Sequence, residues 1–131
     1  MERSADWMDQ ARGDLDHARH DIAAEFYDWA CFSAQQSAEK SVKAVLQKRG
    51  LEAWGHSVAD LLRALASEMG TVSPDILDRA HELDKAYIPT RYPDAHATGS
   101  PRRQYTKPEA TRLVNHADEI LRFCEGLLSS I

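Results

Sequence analysis

The sequence predicts an all-α fold: an up-and-down antiparallel bundle of about five helices, with a long irregular loop before the last helix. Three observations carry this expectation. Apolar residues recur at spacings of three and four through most of the chain, the period of one helical face. Serine, glycine and proline stand where helices would start and stop. Nowhere do apolar and polar residues alternate as they do along a half-buried strand.

The first stripe, Met8, Ala11, Leu15, Ala18 and Ile22, predicts a helix over residues 5–22. The second, through Tyr27, Ala30, Ala34, Ala38, Ser41 and Val45, predicts one over 24–49. Gly50 stops it, with Lys48 and Arg49 facing the negative end of its dipole. A loop from Leu51 to His56 leads to Ser57, which with Asp60 three residues later resembles a capping box. The helix so opened carries Val58, Leu61, Leu62, Leu65 and Met69 and ends at Gly70. Ser73 and Pro74 open a fourth, patterned by Ile76, Leu77, Ala80, Leu83 and Tyr87. Residues 88–107 have no periodicity and are punctuated by prolines, and irregular loops of that length are commonly functional. Leu113, Ala117, Ile120, Cys124 and Leu127 predict the last helix, over 108–129.

With 131 residues the chain is expected to form a single domain, residues 1–131, large enough to bury a core without staples. Its apolar fraction of 43% and charged fraction of 28% place it among globular proteins. A net charge of -5 argues against broad, charge-driven coating of nucleic acid, so any such site must be a local basic patch. Cys31 and Cys124 both fall in helical patterns and read as buried thiols in a reducing compartment. The opening MERSADWMDQ lacks the apolar segment of a signal peptide, and no apolar run approaches the ~20 residues of a membrane span. A soluble, cytoplasmic protein is the expectation.

The loop opens with YIPTRYPDAH, residues 87–96, and its charge contrasts with the rest of the chain. Arg91, Arg102, Arg103 and Lys107 stand against Asp94 alone. Arginine can clamp a phosphate and tyrosine can stack on a base, so Tyr92, Tyr105 and these cations suit RNA or a nucleotide. Simple solvation of an exposed loop is the competing reading. Arg91 and His96 are spaced R-x4-H. Metal-independent RNA cleavage needs a group that titrates near neutrality to move a proton, and a fixed cation on the phosphate oxygens. Histidine and arginine supply these. Full acid-base catalysis wants two proton carriers, which a symmetric dimer would provide by duplicating the pair.

Elsewhere, FSAQQSAEKSVKAVL in the second helix pairs Gln35 with Glu39, Glu39 with Lys43, and Gln36 with Lys40 at i,i+4. A solvated face is the first expectation for it. A polar strip beside the loop, contributing Lys40 and Lys43 to ligand binding, is the alternative. His17 and His20 could open a metal site but are expected on a solvated face. His56 reads as a loop-packing residue. No phosphate-cradling glycine loop, zinc-binding cysteine pattern or nucleophile elbow is present, so neither a metal nor another cofactor is expected.

Taken together, DLDHARH, YDWACFSAQQSAEKSVKAVLQKRG, GHSVADLL and LDKAYIPTRYPDA resemble, in this order and over almost the whole chain, small stand-alone prokaryotic members of the HEPN family (higher eukaryotes and prokaryotes nucleotide-binding). The resemblance implies an up-and-down bundle that usually dimerises. The family's catalytic members are metal-independent endoribonucleases with an R-x4-6-H motif, which falls here on Arg91 and His96. By that analogy His96 handles the proton and Arg91 the phosphate charge. Some members are toxins paired with a minimal nucleotidyltransferase antitoxin. Active members often have a polar residue directly after the arginine, where this chain has Tyr92 and Pro93; toxin members can have a tyrosine where it has Thr98. A non-catalytic nucleotide- or RNA-binding module, or an accessory subunit of a nucleotidyltransferase, is therefore the alternative. An interaction bundle without a ligand is the third.

Overall fold

The computed structural model describes residues 2–130. Its elements are α1 (Ser4–Ala23), α2 (Tyr27–Lys48), α3 (Val58–Met69), α4 (Pro74–Asp84), a 3-10 turn (Pro93–Ala95), α5 (Pro101–Gln104) and α6 (Lys107–Ser129). Five long helices thus form the expected all-α bundle, and no strand occurs among the described residues. Residues 88–107 hold more regular structure than expected. Pro93 and Pro101 each start a short turn of helix, because a fixed φ and a missing N–H suit a first-turn position.

The centre of the bundle is α2, packed most extensively against α1 and α6. Ala30, Ala34, Ala38 and Ala44 are fully buried along it. Side chains this small let neighbouring backbones approach, and the Ser37 hydroxyl donates to the Ala11 carbonyl of α1 at 2.7 Å. Met8, Leu15, Leu46, Leu62, Leu65, Leu83 and Ile120 fill the remaining space as one cluster. Cys31 on α2 and Cys124 on α6 are buried free thiols, and burial pushes both up to about 12.

The α2 boundary differs from the expected 24–49. At the end of α1, Glu25 adopts φ +66°, a left-handed conformation usually given to glycine. Its N–H reaches the Ile22 carbonyl and that of Phe26 reaches Asp21 O, closing α1 before α2 can begin at Tyr27. No glycine marks the site, so the break is silent in the sequence.

The start of α3 is also closed differently from a capping box. Ser57 Oγ does accept the Asp60 N–H at 3.1 Å, but the Asp60 carboxylate turns to Arg63. The outstanding donors go to Asp84 at the end of α4. Its carboxylate accepts from the Ser57 hydroxyl at 2.8 Å, from Val58 N–H at 2.6 Å and from Ala59 N–H at 3.2 Å. One side chain thereby ties the loop before α3 to the turn after α4. Asp84→Ala is expected to cost about 2 kcal/mol, since three donors to a charged acceptor lose it together. Urea denaturation checks this, and Asp84→Asn should fall less because it keeps an acceptor oxygen.

Candidate functional site

The turn that follows α4 is anchored from inside. Thr90 is almost completely buried, and its hydroxyl donates to the Ala86 carbonyl at 2.7 Å. With Thr90 turned inward, Arg91 lies half-buried against the aromatic side of the bundle. Its Nε and Nη2 donate to the Tyr87 carbonyl at 3.1 and 2.8 Å. The guanidinium carbon lies 4.4 Å from the ring centre of Phe32, 4.9 Å from that of Tyr87 and 5.1 Å from that of Tyr92. Cation–π contact and a backbone carbonyl hold the group in place without neutralising it. Arg91 has no carboxylate partner among the described residues.

His96 follows the 3-10 turn, with its N–H on the Pro93 carbonyl. Its Nε2 lies 2.6 Å from the Pro89 carbonyl, and its ring meets Tyr105 edge-on at 6.1 Å between centres. A carbonyl only accepts, so Nε2 carries a hydrogen and Nδ1 is the nitrogen left for proton exchange. Tyr105 is half-buried, and burial holds its phenol up at about 12. Arg91 and His96 share no hydrogen bond; they meet through the backbone of one turn, which His96 grips at Pro89.

The strip on α2 is not a solvated face. Gln35 is fully buried, Glu39 is 4% exposed and Lys43 is 9% exposed. Glu39 accepts from Lys43 Nζ at 3.1 Å, from Gln35 Nε2 at 3.2 Å and from His56 Nδ1 at 3.2 Å. Gln35 also donates to the His56 carbonyl at 3.0 Å. The helical period alone could not place this face inside, because the loop that covers it comes from residues 51–56. His56 is thus held at its backbone and at its ring, and the ring stacks on Tyr87 at 4.7 Å between centres and 17° between planes. Tyr87 in turn flanks Arg91.

The other candidate residues are spread more widely. Lys40 Nζ pairs with Asp14 at 2.6 Å, beside a cavity of about 220 Å³ that also contains Trp29 and Phe32. Phe32 is the ring beneath Arg91, so Lys40 borders the arginine's surroundings although its charge is matched. Lys43 faces the other way, 5.7 Å from the Trp7 ring centre. Arg102 and Arg103 are exposed on α5, and Lys107 is exposed at the start of α6. Tyr92 is 47% exposed next to Arg91. On α1, His17 is engaged with Ser33 and Asp21. Among the described residues no group of three or more histidines, cysteines or acids is placed to hold a metal, and no helix is long and apolar enough to cross a membrane.

Phe32, Glu39 and His56 are the participants that the motif did not reveal. The available signals were the position of Glu39 between two residues it could pair with and the position of His56 directly before a helix cap. Neither identifies chemistry by itself.

Comparison with known proteins bears on the same elements. A crystal structure of TT1696 from Thermus thermophilus is similar with a TM-score of 0.93 and 46% identity, covering 97% of this chain and 99% of that one. The HEPN domain protein tm0613 of Thermotoga maritima is similar with a TM-score of 0.78 and 52% identity over 95% of this chain and 98% of its own. At a greater distance, a Methanocaldococcus jannaschii protein named "Putative toxin MJ1304" is 25% identical over 93% of this chain and 86% of its own length. The HEPN domain model matches residues 4–127, from the start of α1 almost to the end of α6 and through the Arg91 turn, and the chain belongs to the HEPN domain family.

Proposed function

We propose that the protein acts on RNA as a metal-independent endoribonuclease, working as one HEPN-like domain over residues 1–131 in the cytoplasm. The observation that carries this reading is the state of Arg91: a guanidinium fixed by three rings and a carbonyl, with no carboxylate to satisfy its charge. Such a group suits an RNA phosphodiester, whose oxygens gain charge as the bond is cut. His96 offers Nδ1 as a proton carrier on the same turn, and a homodimer would supply a second copy. Tyr92 is available for base stacking, and the exposed Arg102, Arg103 and Lys107 supply further cations for the strand. Lys40 borders the site beside Phe32, and Lys43 is linked to it only through Glu39 and His56; both charges are already paired.

The relative named a putative toxin supports a toxin role; pairing with a minimal nucleotidyltransferase antitoxin is the form of that role that the family resemblance implies. A second reading, a non-catalytic RNA- or nucleotide-binding module serving such a transferase, is favoured by one observation. His96 is engaged with Pro89 and shares no hydrogen bond with the Arg91 guanidinium. Incubating purified protein with single-stranded RNA in EDTA separates the two. The nuclease reading expects cleavage and a 2′,3′-cyclic phosphate end; intact RNA that remains bound through Arg91 would establish the binding module instead.

A further inference from the structure

The Arg91 turn is touched by two histidines, although R-x4-H contains one. His96 bonds the Pro89 carbonyl within it, and His56 stacks on Tyr87 at its start. The guanidinium of Arg91 lies 4.9 Å from the same Tyr87 ring. His56 reaches this position on the 51–56 loop, which Asp84 ties to the end of α4 through Ser57 and Val58, so its relation to Arg91 exists only in the folded chain.

The setting of His56 differs from that of a packing residue. Its side chain is 57% exposed, whereas the Glu39 carboxylate behind it is 5% exposed. Nδ1 approaches both carboxylate oxygens, at 3.2 and 3.3 Å. A carboxylate only accepts, so Nδ1 carries the hydrogen, and the neutral ring presents Nε2 as its basic nitrogen. A buried acid behind an exposed imidazole fixes both tautomer and ring direction, which is the use of the acid in hydrolytic triads. Of the charged and titratable groups, Glu39 of α2 and Tyr87 touch the ring directly; Lys43 of α2 lies behind Glu39, Asp84 of α4 behind Ser57, and Arg91 shares Tyr87. Lys43 is committed to Glu39, and Asp84 to Ser57 and the first amides of α3. Nε2 is left without a partner in this set.

We propose that His56, oriented by Glu39, is the general base of the Arg91 site. The assignment rests on the ribonuclease reading above. In the step it describes, His56 Nε2 takes the proton of the ribose 2′-hydroxyl as the 2′-oxygen bonds to phosphorus. The bond from phosphorus to the 5′-oxygen breaks, and that oxygen takes a proton from protonated His96 at Nδ1. Arg91 holds the non-bridging oxygens. His56 gains the proton that the hydroxyl loses and His96 loses the one that the 5′-oxygen gains; exchange with water restores both, and no metal or other co-reactant is consumed. The two proton carriers are then different residues, one on the 51–56 loop and one on the Arg91 turn.

The test compares wild type, His56→Ala and His56→Asn in EDTA, measuring kcat/KM for a short RNA across pH. Affinity is measured in parallel on the same oligonucleotide with a 2′-deoxy ribose at the cleavage site, which cannot react. Both variants are expected to lose about 10²–10⁴-fold in kcat/KM. Their affinity for the unreactive strand should stay within a few-fold of wild type, and the acidic limb of the pH profile, where a base must lose its proton, should disappear. Asparagine can still donate to Glu39, so recovery of the rate by His56→Asn would mean a purely structural role and overturn the assignment. Retention of the acidic limb in both variants would also overturn it. If wild type leaves the RNA intact, the ribonuclease reading itself fails and takes this assignment with it; if wild type cleaves and the variants match it, only the assignment fails.

Discussion

Replacing His96 with alanine is expected to slow metal-free RNA cleavage by about 10²–10⁴-fold, the usual cost of a lost proton carrier. The fold should survive, because the side chain sits on a loop and touches the Pro89 carbonyl and the edge of Tyr105 rather than the core cluster. Arg91→Ala should behave differently. The same guanidinium would hold charge in the bound strand and in the transition state, so both affinity and rate should fall. Arg91→Lys should recover only part of the loss, since an ammonium cannot present a planar fork or stack as a guanidinium does on Phe32 and Tyr87. Cleavage of a labelled RNA, read beside equilibrium binding of an unreactive strand, separates these effects. Unchanged cleavage in His96→Ala would remove His96 from the reaction, and unchanged binding in Arg91→Ala would move the phosphate site elsewhere.

The second large effect is on stability. Glu39→Ala is expected to destabilise the bundle by about 3 kcal/mol, the lower end of the cost of breaking a buried ion pair. It leaves the side chain of Lys43, which is only 11% exposed, without its carboxylate, and it removes an acceptor from Gln35, which keeps the His56 carbonyl, and from the His56 ring. Glu39→Gln should lose less, because its amide oxygen still accepts although the charge is gone. Urea denaturation monitored by circular dichroism measures both. A loss under about 1 kcal/mol for Glu39→Ala would mean that Lys43 reaches water through the neighbouring surface by Trp7 and Leu51, and that the pair contributes little.

Much of the bundle was legible because its cause is local. The stripe from Met8 to Ile22 and the stripe from Leu113 to Leu127 each bury the face that their period defines. Ser57, Ser73 and Pro74 act where the chain places them, since capping depends on atoms three residues apart. Thr106 caps α6 in the same way by accepting the Glu109 N–H, which starts the helix at Lys107, one residue before the expected 108. The break between α1 and α2 was not legible, because Glu25 holds a conformation for which its residue type gives no cue.

The family resemblance and the R-x4-H spacing likewise come from residues in order along the chain, and they identify Arg91 and His96 as candidates. What the sequence by itself determined is therefore the helices, most of their caps and the turn that carries this pair. Only the tertiary structure decided which polar face is buried. A helical period shows that Gln35, Glu39 and Lys43 lie together on α2, but burial requires the 51–56 loop to fold over them. The same closure sets His56 against Glu39 and Tyr87, and the packing of α4 and its following turn on α2 brings Phe32 under the Arg91 guanidinium. These contacts join residues far apart in sequence. Spacing encodes neighbours on one helix; only packing brings together side chains from different segments.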